Sequence, residues 1–402
     1  MGAEFNARNR LVVYATALNL IFVANYLLWA TFPPSGFLSA AVIATLSGVI
    51  LLVAKDGKIT WPLLILFAMG SLITLGTATF DWDARVIWLC HAKMIFLENN
   101  LYAQLNDYAP CSHNDYPVIF PALAATFAKA VGHWNEVFPK AVAVFFLIPP
   151  LIVCLLTLRS KRLIVLFIIG LIVVCKGYLF NGYMDGLLSL YTCAIIFCMI
   201  LFVHQESGVE RLVDRVLPGI AAFSFLAVAV LLKNEGLVMA LCLALVMAFS
   251  GDRFQRRLYF IPLTAALIFF FLTWKFFLMG ATVQNDLMTP GILVRFVDRL
   301  MNLENSYLIA LSMLKKSGIG FILLALIFIK KSVKWNEFKI PVLFVGVYCA
   351  ALFFVYLSTP SDLFVHLDTS IRRTTMPINV VILGTLLFAF RVKDKSLAPL
   401  GV

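Results

Sequence analysis

Long apolar runs separated by short polar turns set the pattern of this chain. Stretches such as 11–30, 61–79 and 340–357 carry almost no charge. Each is near the roughly 20 residues that a helix needs to cross the hydrocarbon core of a bilayer. The runs predict spans at 11–33, 37–54, 61–79, 140–158, 162–179, 185–204, 216–233, 236–250, 257–278, 317–330, 340–358 and 376–391. The expected fold is therefore all-α, a polytopic transmembrane helix bundle of about twelve helices. A transmembrane barrel would instead alternate apolar and polar residues over segments of about 10 residues, a pattern not evident here. The first run has no small-residue cleavage pattern and is expected to stay as a helix rather than leave as a signal peptide.

Composition sharpens this picture. Of 402 residues, 62% are hydrophobic and only 13% are charged, whereas soluble domains average about 25% charged. The net charge of +11 has a membrane explanation, because cytoplasmic turns collect Lys and Arg. With the N-terminus inside, the short inner turns take Lys55 and Lys58, Arg159, Lys161 and Arg162, Arg253, Arg256 and Arg257, and Lys330 and Lys331. Lipid bilayer, and no nucleic acid, is the expected partner of these charges. Both chain ends then lie in the cytoplasm.

The same orientation leaves three longer stretches outside, at 80–139, 279–317 and 358–375. The first holds a moderately apolar run, 118–131, that is short for a crossing and would invert every later helix if it spanned. It is expected to be an interfacial or re-entrant helix. The second is amphipathic in part, through Ile292, Phe296 and Leu300. No internal repeat or low-complexity linker divides the chain, so 1–402 reads as a single integrated membrane domain with an outer face built by loops. Six of the eight cysteines fall in predicted helices, where Cys behaves as a small apolar residue. Cys90 and Cys111 fall in the large outer stretch, where an oxidising compartment would allow a disulfide.

The polar residues in this apolar chain fall into clusters: Asp81-Trp82-Asp83, Asn114-Asp115-Tyr116-Pro117, Asn181 to Gly186 around Asp185, Lys233-Asn234-Glu235, and His366 to Arg373. All lie at the outer ends of predicted helices or in outer stretches of a topology that rests on the apolar runs and the basic inner turns. Charges in a hydrocarbon setting are costly and tend to face a cavity or a partner. One outward-facing site is therefore expected. Each cluster also has a plainer reading. Asp83 or Asp185 can serve as a helix cap, Asp115 can belong to a turn before proline, Lys233 and Glu235 can form an interfacial ion pair, and Arg372 and Arg373 can anchor lipid headgroups. Cys90, His91, Cys111 and His113 do not match a zinc spacing, and there is no phosphate loop, nucleophile elbow or dinucleotide fingerprint. No metal and no cofactor is expected.

Chemically, a carboxylate at a membrane surface can take the proton of a hydroxyl nucleophile, and basic residues beside it can stabilise a phosphate leaving group. Aromatic faces such as Trp82, Trp88 and Tyr116 suit a sugar ring or a lipid headgroup. Asp81 and Asp83 are the expected catalytic acids. Trp82, Arg85, Trp88, His113, Asp115, Tyr116, Asp185, Lys233, Glu235, His366, Arg372 and Arg373 are the expected substrate-binding residues. If the chain beyond 80 is helical, positions 81 and 83 point roughly 200° apart and cannot face one proton.

The run Asp81-Trp82-Asp83-Ala84-Arg85-Val86-Ile87-Trp88, with Asp115-Tyr116-Pro117 some way on, resembles the first luminal loop of the GT-C glycosyltransferases. It is most similar to the endoplasmic-reticulum glucosyltransferases that extend lipid-linked oligosaccharide. Lys233-Asn234-Glu235-Gly236 and the Arg372-Arg373 segment look like bacterial members of the superfamily. The resemblance implies an inverting, metal-independent enzyme that moves a hexose from a polyprenyl-phosphate sugar donor to a glycan or lipid-linked acceptor. It implies Asp81 as the base and Asp83 as a supporting residue. The chain departs from the pattern in placing two helices before the one that leads into the loop, and in Val118 where the family has a second proline. The sparse outer loops and overall length point to a bacterial inner (plasma) membrane. The competing expectations are a twelve-helix transporter or flippase of a glycolipid or organic anion, and a membrane phosphotransferase or acyltransferase.

Overall fold

The computed structural model describes residues 2–31, 36–53, 57–102, 105–203, 212–250, 263–268, 289–329 and 335–393. Among these residues helices are the regular structure, joined by short turns, and there is no strand. In lipid an isolated segment must satisfy its own backbone hydrogen bonds, which favours helices wherever the apolar runs fall. The N-terminal group is α1 (Gly2–Thr31), α2 (Gly36–Val53) and α3 (Gly57–Gly76). After it come a π-turn (Ala84–Trp88), α4 (Leu89–Glu98) and α5 (Ile119–Val131). The central group is α6 (Val142–Leu158), α7 (Lys161–Cys175), α8 (Asp185–Val203), α9 (Leu212–Leu232) and α10 (Asn234–Ser250). The C-terminal group is α11 (Ile292–Met301), α12 (Leu303–Ile329), α13 (Trp335–Ser358), α14 (Leu363–Thr374) and α15 (Met376–Lys393).

Six stretches among the described residues are long and apolar enough to cross a membrane: Arg10–Thr31, Phe138–Leu158, Lys161–Leu179, Leu303–Ala325, Phe338–Ser358 and Leu363–Phe390. Shorter apolar helices fill several other predicted spans, including Thr60–Gly76, Asp185–Ile200 and Asn234–Ser250. The span expected at 257–278 lies outside the described residues apart from 263–268, as do most of the basic inner turns.

α8 is the axis of the bundle and packs against α6, α9 and α15. Polar side chains pin this core. Tyr191 on α8 donates to Asn19 Oδ1 on α1 at 2.9 Å, and Asn19 donates to Ser224 on α9 at 3.3 Å. α7 lies at the edge of the bundle and leaves Val165, Leu166, Ile169 and Val173 exposed. Such an apolar outer face is what a lipid-facing helix presents.

The run at 118–131 forms a short helix enclosed by its neighbours. At 13 residues α5 is about 20 Å long, well short of a ~30 Å hydrocarbon core. It is enclosed by α1, α2 and α4, and Ile119 to Thr126 are all buried. Trp29 Nε1 on α1 donates to Thr126 at 2.8 Å, and Thr126 donates to Asn25 at 2.9 Å. α5 is thus held inside protein.

The stretch 279–317 differs from the expected loop. α12 begins at Leu303, fourteen positions before the predicted start. Lys315, Lys316 and Ser317 suggest a loop boundary in sequence, but their side chains are accommodated within the helix, with both lysines exposed. α11 is amphipathic as expected. Arg295 donates to the Ser358 carbonyl at 3.0 Å and Arg299 to that of Thr359 at 2.7 Å, capping the end of α13, while Leu293, Val294 and Val297 stay exposed.

Candidate functional site

The site is built where the chain leaves α3. Lys140, at the start of the α6 segment, is buried at 2% exposure. Its ammonium donates to the Thr77 carbonyl and, at 3.0 Å each, to the Thr77 hydroxyl and the Ala78 carbonyl. Those groups sit just past the end of α3, where the helix dipole favours a cation. Asp81 follows and is exposed, flanked by the exposed Phe80 and Trp82.

The helix resumes at Trp82, and Arg85 N–H donates to the Asp81 carbonyl at 3.0 Å. The next five residues, 84–88, form a π-turn, closed by Leu89 N–H on the Ala84 carbonyl. Such turns re-aim side chains and are frequent at functional sites. The two acids therefore part: Asp81 stays in the open, while Asp83 turns inward to an ion pair with Arg373. Asp83 makes no side-chain capping bond, so the cap reading of this residue does not apply. Its N–H donates to Tyr183 Oη at 3.4 Å.

A second ion pair lies deeper. Lys233 is buried between α9 and α10 and donates to Asp185 at 2.9 Å and to Glu235 at 2.9 Å. The break between these helices needs Gly236, because a Cβ there would lie 1.9 Å from the Ala229 carbonyl oxygen. Neighbouring residues extend the network. Asn234 donates to Asp115 at 2.6 Å. The Lys233 ammonium sits 5.8 Å from the ring centre of Tyr116, within the range of a cation–π contact. Tyr116 stacks on His113 at 5.0 Å and tilts against Trp88 at 5.5 Å.

The arginines of α14 are held by tyrosines. Arg373 lies over Tyr183 at 5.4 Å, Arg372 lies over Tyr178 at 5.6 Å, and the two tyrosine rings meet edge to face at 5.1 Å. Among the described residues Arg373 has its carboxylate, whereas Arg372 forms no ion pair. Burial, with help from Asp83 and Asp81, pushes the Tyr183 phenol up, so it stays neutral and able to donate a hydrogen bond.

The structure thus brings together Asp83, Trp88, His113, Asp115, Tyr116, Asp185, Lys233, Glu235 and Arg373. Asp81, Trp82 and Arg372 lie beside this group, close in chain or through the tyrosines. Arg85 is exposed. His366 packs against Tyr356 of α13 at 5.1 Å, whose hydroxyl is shared with Ser370 and Thr374. The plainer readings of Asp115 and Lys233 hold in part: Tyr116 N–H closes a turn on His113, and Lys233 is an ion-pair residue, but both also join the larger network.

Four residues were not singled out from sequence: Lys140, Tyr178, Tyr183 and Asn234. Tyr183 and Asn234 sit inside quoted polar clusters, and only the charged members drew attention. Lys140 resembled any basic residue at the start of a span.

Among the described residues, the buried polar atoms with no hydrogen-bond partner include Trp88 Nε1, Asp185 Oδ2 and Glu235 Oε2 of the site. Buried polar groups of this kind are met by water or by a polar ligand. Among the described residues no three His, Cys, Asp or Glu converge as a metal site. Cys90 and Cys111 are free thiols, half-buried and exposed respectively. His91 is fully buried and burial lowers its pKa to about 4, against weaker support from hydrogen bonds with Ser112 and Asn114. No protein-family model matches the chain, and no curated protein and no solved structure matches it either.

Proposed function

We propose that the chain is an inverting glycosyltransferase of the GT-C type, taking a hexose from a polyprenyl-phosphate carrier to a glycan or lipid-linked acceptor on the outer face of a membrane. The observation that carries this reading is the meeting of segments 81–88, 115–116, 183–185, 233–235 and 372–373 through Asp83, Asp115 and Asp185, with the exposed Asp81 two residues before Asp83. In this reading Asp81 takes the proton of the acceptor hydroxyl while its oxygen bonds to the sugar carbon. The bond from that carbon to phosphate breaks on the opposite face, and polyprenyl phosphate leaves with the electron pair.

The phosphate contact falls to Arg372. Arg373 and Lys233 are already matched by carboxylates, and drawing them to a phosphate would strand buried acids. Arg372 carries no such partner, and its planar fork suits phosphate oxygens. Phe80 and Trp82, both exposed, offer aromatic surface beside the base. Asp83 and Arg373 fix the turn that presents it.

The test is incubation of purified protein with a panel of polyprenyl-phosphate hexoses and acceptor lipids, measuring freed polyprenyl phosphate. Release with one donor, abolished in Asp81→Asn, is the expected result. Failure with every donor would overturn the reading. The buried Asp185–Lys233–Glu235 cluster favours one second reading, a transporter or flippase, because paired charges at membrane depth also serve proton relays. Substrate-driven uptake into vesicles without chemical conversion would select it.

A further inference from the structure

Lys140 is an expensive residue for its position. A buried ammonium gives up its hydration and must recover it from protein acceptors. Helix ends are ordinarily closed by a glycine or by water. Here a lysine at 2% exposure directs its three N–H donors to three acceptors within two consecutive residues, Thr77 and Ala78. Asp81 lies three residues beyond, and Lys140 and Asp81 attract each other electrostatically. The chain from α7 to α8 closes over the same point. Gly182 adopts a left-handed φ of +92°, and a Cβ there would meet Ala84 Cβ at 3.0 Å and Lys140 Cβ at 3.9 Å. Lys140 therefore stands where the exit of α3, the π-turn and the approach to α8 converge. Thr79 gives this exit a second tether, donating to the Glu136 carbonyl at 3.0 Å.

We infer that Lys140 is the positioning residue for Asp81, holding the 77–81 segment so that its carboxylate is presented at a fixed place beside the tyrosine–arginine group. It touches neither reactant. Its positive charge and its three-point grip act on the reaction only through Asp81. The inference rests on the glycosyl-transfer reading for its catalytic part and on the hydrogen-bond geometry alone for its structural part.

The two parts are separable by experiment. A nitroxide label is placed at Phe80→Cys, an exposed site, in a Cys90→Ser, Cys111→Ser background. Its mobility is read in Lys140→Met and Lys140→Arg alongside turnover. Lys140→Met is expected to mobilise the label and to lower kcat at least ~10-fold with donor KM little changed, since misplacement by about 1 Å can cost ~10²-fold. Lys140→Arg, which keeps charge and donors, is expected to restore most of both. An equally immobile label in Lys140→Met overturns the inference, and so does an arginine variant as impaired as the methionine one. If Lys140→Met does not fold, Lys140→Gln, with its shorter amide donor, is read by the same two outcomes. If the unlabelled wild type releases no polyprenyl phosphate from any donor, the glycosyl-transfer reading falls, and label mobility still decides whether Lys140 holds the segment.

Discussion

Arg373 on α14 closes an ion pair with Asp83, 290 residues earlier in the chain. Both side chains are largely buried, at 18% and 15% exposure. Removing one partner leaves the other charge uncompensated, which typically costs ~3–5 kcal/mol. Arg373→Met is therefore expected to lower unfolding stability in detergent by about that much. Asp83→Leu combined with Arg373→Met is expected to recover part of the loss. Costs that simply add would show that the two residues are not coupled.

The two acids should separate kinetically. Among the described residues Asp81 is exposed and pairs with no arginine, whereas Asp83 is held by Arg373. Asp81→Asn is expected to fold as wild type and lose at least ~10²-fold in kcat. Asp83→Asn is expected to lose stability first and turnover less. Near-normal turnover in Asp81→Asn, with collapse in a folded Asp83→Asn, would transfer the base to Asp83.

Arg372 should carry donor affinity. Removing a charge-assisted contact costs on the order of 1.5–3 kcal/mol, or roughly 10- to 100-fold in donor Kd. Arg372→Ala is expected to show this with an intact fold. Donor titrations that leave Arg372→Ala at wild-type affinity would sink the assignment.

His91 should make stability depend on pH. Its folded pKa is about 4 against an ordinary 6.5, so the unfolded chain binds the extra proton between those values. Its contribution is fully present above pH 6.5, falls as pH drops toward 4, and is flat below. The loss is on the order of 3 kcal/mol across the window. His91→Gln should flatten that part of the profile, and unchanged slopes between pH 6.5 and 4 in the variant would assign the effect elsewhere.

Sidedness follows from the same frame. In a Cys111→Ser background, which removes the exposed native thiol, an impermeant maleimide should label Asp107→Cys in intact cells and leave Lys161→Cys unlabelled. The reverse pattern would invert the orientation and place the site in the cytoplasm.

The helices were legible because the apolar runs are long and lipid leaves the backbone little choice. The start of α12 at Leu303 was not, since Lys315 and Lys316 look like a boundary until the helix is seen to carry them. The charged members of the site were legible because acids and bases are conspicuous in so apolar a chain. Their pairing was legible only for Lys233 with Glu235. Sequence offered Arg372 or Arg373, with Lys233 as a lesser contributor, for the phosphate contact, and only three-dimensional proximity reveals that Asp83 already occupies Arg373 and Asp185 joins Glu235 on Lys233. Tyr178 and Tyr183 went unnoticed for a similar reason, because a tyrosine near a predicted helix end is unremarkable until an arginine is found over each ring. α5 was partly legible: the short apolar run marked a helix, but the polar ties through Trp29, Thr126 and Asn25 depend on contacts about 100 residues apart that no local pattern encodes.

The bonds from Lys233 also tie three helices together. One partner lies 48 residues earlier, at the start of α8, and the other lies two residues later, in the first turn of α10. Removing the ammonium strands two carboxylates on two different helices at once. The junction of α9 and α10 is therefore a shared fastening, and a single substitution there loosens α8 and α10 together.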